Sequence, residues 1–319
     1  MVLRKLLTVA LCAAFFAVCG CGGNAAQGTQ AAAGKPYLQL TDAANSQVSL
    51  AKKPERVVSL SPSYLGMIEA VGGKIVGRAT SRVGTVPQSM AAVPEVGFVY
   101  NVNMESLLAL RPDLVLAGKN HHEKFLPLLK SNNVPVIVLD AKTYDEIKHT
   151  VTVLGDVYGT MDKAAAENAF LDEQIAKVKA KLPKERKRVV IMHATASSVT
   201  VEGSRSIAGC VSDILGFENV AAAALKGKSE KTPYSMESLV HQNPDVIFIT
   251  SMGKADEIEN RLRLDFKNNP AWNSLQAVQQ GKVYVLPEQL FLINPGLRYP
   301  EAVKYMAQRI YPEVFEDGK

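Results

Sequence analysis

The chain has 319 residues, 47 % of them hydrophobic and 21 % charged, with a formal net charge of +5. A chain this long can bury a sizeable core without disulfides. The mild charge makes no electrostatic case for nucleic acid, and four cysteines are too few for a disulfide scaffold.

Residues 1–20 read as an export signal. Arg4 and Lys5 form the positive start, and Leu6 to Val18 is an apolar run of 13 residues, too short to span a bilayer. Val18-Cys19-Gly20-Cys21 is similar to a bacterial lipobox. Cys21 has a small residue before it and an aliphatic one three before, so cleavage and lipidation are expected there. Loss of Arg4 and Lys5 leaves 34 cations against 31 carboxylates, a formal charge of +3. Residues 21–35 are small and polar, a flexible tether. Of the cysteines only Cys210 then stays a thiol. No internal disulfide is expected, and its apolar neighbours suggest packing rather than reactivity.

Arg56-Val-Val-Ser-Leu is a buried-strand run, and Ser61-Pro62 starts a helix that Gly72-Gly73 stops. Leu114-Val-Leu-Ala and Val134 to Leu139 are further strands. A helical stretch over 145–183 carries Ile147, Val151, Leu154, Phe170, Leu171 and Ile175, with a break at Gly159 and Thr160 able to cap the next segment. Arg188 to Met192, Val246 to Ile249 and Val283 to Leu286 predict strands. Ile207 to Leu215 and Tyr299 to Ile310 predict helices.

A fragment recurs at one offset. Arg56-Val57-Val58 returns as Arg188-Val189-Val190, Met104-Glu105-Ser106-Leu107 as Met236-Glu237-Ser238-Leu239, and Pro112-Asp113 as Pro244-Asp245, each 132 residues later. The chain therefore reads as α/β, two Rossmann-like lobes with parallel sheets joined by a long rigid helix. The N-terminal lobe spans 36–144, the linking helix 145–183 and the C-terminal lobe 184–319. A cleft between two such lobes suits a small ligand.

The order of the lipobox, Arg-Val-Val-Ser-Leu-Ser-Pro, Asn103-Met-Glu105, Arg111-Pro-Asp113, the long helix, Ser235-Met-Glu237, Asn243-Pro-Asp245, Gly281-Lys-Val-Tyr284 and Arg309-Ile-Tyr-Pro-Glu313 resembles the helical-backbone class of solute-binding proteins. Those serve ABC importers for ferric siderophores, heme and cobalamin. The resemblance covers residues 54–315. It implies a lipid-anchored, monomeric protein outside the cytoplasm that carries an iron chelate to a permease dimer. A corrinoid is the alternative cargo. It also implies one docking glutamate per lobe, Glu105 and Glu237. As first-turn carboxylates behind Asn103 and Ser235, both also offset a helix dipole. The chain departs from the commonest ending of that family at Asn294-Pro-Gly-Leu-Arg298.

Loops after the carboxyl ends of strands face the cleft in such folds. The candidates are Ser61, Ser63, Tyr64, Arg78, Arg82, Tyr100, Asn101, His121 and His122 in the first lobe. In the second they are His193, Arg205, Tyr234 and Arg298. Arginine forks pair with oxygen anions, and Tyr or His could ligate heme iron. The four arginines favour an anionic iron complex over a corrinoid. No resident cofactor or metal is implied. The chain lacks His-Glu-x-x-His, Gly-x-Ser-x-Gly and Cys-x-x-Cys, so it is not expected to be an enzyme. Gly227-Lys228-Ser229 mimics the end of a phosphate loop, but Ala222 stands at its first glycine.

Overall fold

Short β-branched runs form the centre of each sheet, and period-two alternation sends their side chains to opposite faces. A computed structural model describes residues 35–81, 86–225, 231–233, 235–252, 260–262 and 269–315. The chain divides into two compact units, Met1–Lys35 and Pro36–Lys319, and the fold is that of the second. The export signal, Cys21, Arg82, Gly227-Lys228-Ser229 and Tyr234 lie outside the described residues. Among the described residues no helix is long and apolar enough to cross a membrane.

After a hairpin, β1 (Leu38–Thr41) and β2 (Gln47–Leu50), lobe one is a six-stranded sheet. Its strands are β3 (Val57–Ser59), β4 (Gly77–Thr80), β5 (Glu95–Phe98), β6 (Asn101–Val102), β7 (Leu114–Gly118) and β8 (Val136–Leu139), in the order β6-β5-β4-β3-β7-β8. All neighbours are parallel except β5 and β6. Helices α1 (Leu65–Ala70), α2 (Met104–Ala109) and α3 (Leu126–Ser131) connect them.

Two helices link the lobes. The first, α4 (Tyr144–Tyr158), opens on a capping box in which Thr143 and Glu146 exchange bonds, and closes at Gly159 with φ 62°. That left-handed turn suits glycine. The second, α5 (Met161–Lys179), follows at once, but Thr160 makes no side-chain cap bond, contrary to the expected cap.

Lobe two builds on β9 (Arg188–Thr195), β10 (Val199–Glu202), β11 (Glu218–Asn219), β12 (Lys231–Thr232), β13 (Val246–Met252) and β14 (Val283–Val285). Their order is β12-β10-β9-β13-β14, with β11 also on β9. Helices α6 (Ile207–Ile214), α7 (Ala222–Leu225) and α8 (Met236–Gln242) follow, and Tyr299–Ile310 is the last long helix.

The repeat is structural. Val57 faces Leu114 across β3 and β7, and Val189 faces Val246 across β9 and β13, the same register 132 positions on. Asp113 accepts the Glu55 and Arg56 amides at 2.9 and 2.8 Å, and Asp245 accepts that of Arg188 at 2.8 Å. The Arg56 guanidinium donates to the Leu110 carbonyl, and that of Arg188 to the Gln242 carbonyl. Arg111 and Asn243 both take positive φ, 47° and 39°. Each clasp turns a helix end back into a strand.

Alternation divides the core. Val57, Leu114, Leu116, Val189, Ile191, Val246 and Phe248 face one common core with Ile147, Leu154, Leu171, Tyr299 and Val303. Val58, Val115 and Ala117 face a second core outside lobe one. Val190, Ile247 and Ile249 face a third outside lobe two, with Trp272.

Candidate functional site

Parallel strands expose their carboxyl ends along one edge of a sheet, and loops there are free to vary without disturbing the ladder. In lobe one this edge holds the loop after β3, the turn joining β5 to β6, and the loop after β7. In lobe two it holds the loops after β9, β13 and β14. The first turns of α2 and α8 lie towards the same edges, because each helix runs back to feed a strand at its amino end.

The most elaborate part is the β5–β6 turn. Gly97 has φ 102°, and a Cβ there would meet the Asn101 carbonyl at 2.7 Å, so the turn demands glycine. Tyr100 projects at 64 % exposure, with Asn101 exposed beside it. The loop after β7 clasps this turn. His122 Nε2 donates to the Val99 carbonyl at 2.8 Å, and Lys124 Nζ donates to that of Tyr100 at 2.8 Å. His121 meets the Tyr100 ring edge-on, with centroids 5.4 Å apart. Partial burial, then the Lys142 ammonium, hold the His121 pKa below its ordinary value. Its imidazole is therefore neutral at neutral pH, a form able to donate a lone pair.

His122 differs from its neighbour. It is fully buried, and its Nδ1 accepts the Gly118 amide at 2.7 Å while Nε2 serves Val99. Both ring nitrogens are spent, so His122 is a structural clasp and not a ligand group. Burial is also the main cause that lowers its pKa.

Three more candidates prove to be interior. Tyr64 is buried, and its hydroxyl donates to the Leu139 carbonyl at 2.9 Å. Burial first, then Asp140 and Glu146, push its pKa up. Arg78 is buried, with Nε on the Met90 carbonyl and an ion pair to Glu95 at 2.9 Å. His193 is buried, its Nδ1 2.8 Å from Thr250 Oγ1 and 3.4 Å from a carboxylate oxygen of buried Glu202. Arg298 is exposed, but its guanidinium grips Glu301 at 2.8–3.1 Å, which raises its pKa. Arg205 is exposed before α6. Two of the four expected arginine forks, those of Arg78 and Arg298, are therefore committed to carboxylates of the protein itself.

Ser61 and Ser63 are half-buried where the lobes meet. The Ser63 carbonyl lies 3.5 Å from a Cβ built on Gly296, and Asn294 Nδ2 donates to the Ala141 carbonyl. Cys210 is half-buried at this junction, accepting the Tyr144 amide at 3.4 Å, and burial raises its thiol pKa.

Sequence reasoning missed three apolar residues at these edges. Phe98 ends β5 at 52 % exposure, Met252 ends β13 at 56 %, and Val285 ends β14 at 55 %. The available signal was a strand run ending on an apolar residue, one step past the buried positions only in β13. Contiguous apolar patches mark surfaces that meet something, whereas single exposed apolar residues are ordinary. Among the described residues no three His, Cys, Asp or Glu side chains converge as a metal cage.

Asn103 and Ser235 cap α2 and α8, accepting the Ser106 and Ser238 amides at 3.0 Å each. Glu105 and Glu237 follow, both exposed in the first turn.

Residues 57–290 match the family described as periplasmic binding protein. The chain is 29 % identical to the ABC transporter substrate-binding lipoprotein YvrC of Bacillus subtilis, across 98 % of this chain and 99 % of that one. It is 28 % identical to the high-affinity heme uptake system protein IsdE of Staphylococcus aureus, across 88 % and 94 %. The crystal structure of S. aureus IsdE complexed with heme superposes with a TM-score of 0.69 at 26 % identity, over 80 % of this chain and 98 % of that one. An ABC transporter substrate-binding protein from Listeria monocytogenes gives 0.73 at 26 %, over 82 % and 100 %.

Proposed function

The chain belongs to the periplasmic binding protein family, and from that premise we propose that it is the lipid-anchored substrate-binding component of an ABC importer that captures an iron chelate of the heme type. The observation that carries the cargo is the character of the carboxyl edges. They leave Phe98, Tyr100, Met252 and Val285 in water, while Arg78 and Arg298 are already paired. A tetrapyrrole offers broad apolar faces to such walls. A small polyanionic siderophore would want the forks that the protein spends on itself. The heme named for IsdE supports the same choice. His121 and Tyr100 are the proposed axial candidates, since His and Tyr both ligate heme iron. A corrinoid is the second reading, favoured by the same apolar edges.

Titration of residues 36–319 with hemin tests the cargo. The expected result is saturable binding, read by the Soret band and by energy transfer from Trp272. Replacing His121 or Tyr100 should shift that band. Saturation by cobalamin alone would make the corrinoid reading right, and saturation by a ferric catecholate alone would restore the siderophore.

Glu105 and Glu237 are the proposed docking points on the permease, one per lobe. Replacing both with Ala should abolish import and leave ligand affinity intact; undiminished import would end this reading. Cys21 is the proposed lipidation site. Mass analysis of the exported chain should show diacylglycerol there, and a Cys21→Ser chain should leave the membrane.

A further inference from the structure

The connection from α5 into β9 gathers charge of one sign. Between residues 177 and 188, seven cations stand against a single carboxylate, Glu185. Lys179, Lys181, Lys184 and Arg186 are all exposed, and none of the four is in an ion pair among the described residues. Beside them a polar cavity of about 280 Å³ is walled by Lys187, Lys282 and Arg309, with Gln276 and Gln280. The carboxylates in its wall are engaged, Glu185 by Lys187 and Asp245 by the Arg188 amide. This face is the amino edge of lobe two, where β9, β13 and β14 begin. It is the edge opposite the exposed apolar residues and Glu237.

The chain enters the fold on the corresponding edge of lobe one. Tyr37 donates its hydroxyl to the Asp156 carbonyl at 3.0 Å, in the last turn of α4. From there α5, 19 residues long, covers about 28 Å to the basic stretch. The residues from Cys21 to Lys35, fully extended, reach about 50 Å.

We propose that the amino edge of lobe two is a docking face for the anionic headgroups of the membrane that tethers the chain, with the cavity seating a headgroup phosphate. In that posture the carboxyl edge of lobe two, with Glu237 in the first turn of α8, points away from the bilayer. The proposal rests on the reading of Cys21 as the anchor. Charge complementarity selects the membrane as the occupant, and a tether of that reach exceeds the length of α5, so this face can meet the bilayer.

The test uses residues 36–319, a compact unit on their own, so that no lipid on the protein contributes. Sedimentation with phosphatidylglycerol vesicles should carry the protein down at low salt, and pure phosphatidylcholine vesicles should leave it in solution. Each cation near an anionic surface is worth about fivefold in affinity, so Lys179→Gln, Lys181→Gln and Lys184→Gln together should weaken binding about 100-fold. Replacing Lys52 and Lys130, which lie elsewhere, should leave binding unchanged. The triple variant should keep the wild-type melting temperature and hemin titration. Three outcomes overturn the proposal: equal binding by the triple variant, equal binding to neutral vesicles, or capture by soluble polyphosphate with no vesicle binding. Failure of the Cys21 reading would show separately, in the mass of the exported chain.

Discussion

The two lobes share their amino edges and differ at their carboxyl edges. At the amino edge the copies match atom for atom in kind: an arginine fork on a helix-end carbonyl, an aspartate on a strand amide, a left-handed residue between them. At the carboxyl edge lobe one carries a parallel strand that turns back as a hairpin, β5–β6, displaying Tyr100. Lobe two puts an antiparallel strand, β10, against β9, and buries His193 and Glu202 there. The difference teaches which part of the repeat is frame and which is tool. The frame solves a backbone problem common to both halves, satisfying the amides and carbonyls where helix becomes strand. The tool edge has no such common demand and was free to diverge.

The largest effect should come from lobe one's clasp. His122→Ala leaves the Gly118 amide and Val99 carbonyl without their partner, and the site should lose about 3 kcal/mol of stability, given about 1–3 kcal/mol for each unsatisfied buried group. Urea unfolding measures it. If the clasp positions Tyr100, hemin affinity should fall in the same variant. His193 in lobe two bonds Thr250 of the neighbouring strand and not a displayed turn, so His193→Ala should cost stability with less effect on hemin.

The shared frame gives a sharper contrast. Arg188→Ala removes two part-buried bonds, to Gln242 O at 2.6 Å and Gln242 Oε1 at 2.8 Å. Arg56→Ala removes bonds that are exposed. We expect about 2 kcal/mol for Arg188→Ala and about 1 for Arg56→Ala, because water replaces the exposed bonds more readily. Equal losses would show that exposure does not distinguish the two clasps.

Acid should act through lobe one. His121 and His122 both have folded pKa values below the ordinary 6.5. The unfolded chain therefore takes up their protons first. This stability is fully present above pH 6.5 and is lost as pH falls through the lower folded values. Denaturant midpoints at neutral and mildly acidic pH should show the decline, and His122→Ala should flatten it.

The smallest effect on stability should fall on the two matched glutamates. Glu105→Ala and Glu237→Ala each lose only a favourable dipole contact, about 0.3–1 kcal/mol, and less in salt. Near-equal melting shifts would confirm that their electrostatic roles match. A much larger effect of either on import than on stability would separate docking from capping.

The sheets were legible because their signals are local. Arg56-Val-Val and Arg188-Val-Val are strands from composition alone, and their repeat with Pro-Asp at a fixed offset predicted paired lobes. Gly159 announced the break between α4 and α5. The site was less legible because burial is decided at long range. Nothing adjacent to His122 in sequence says that the carbonyl of Val99, 23 residues earlier, accepts its Nε2–H. Tyr64 is claimed by Leu139, and His193 by Thr250. Adjacent histidines at 121 and 122 read alike, yet one is partly exposed and the other is in the core. The free apolar ends of β5, β13 and β14 were overlooked because a hydrophobic residue in a strand reads first as core.

The common core shared by both sheets carries a consequence for how such a chain could arise. A single half, cut away, would present a bare oily flank where the other half and the last helix now lie. Such a half has reason to seek its own twin, and its survival would hang on how many copies were dissolved nearby. Joining the halves on one strand of covalent chain replaces that search with a standing local concentration. Dilution then no longer threatens the fold, and each half is released to become unlike the other.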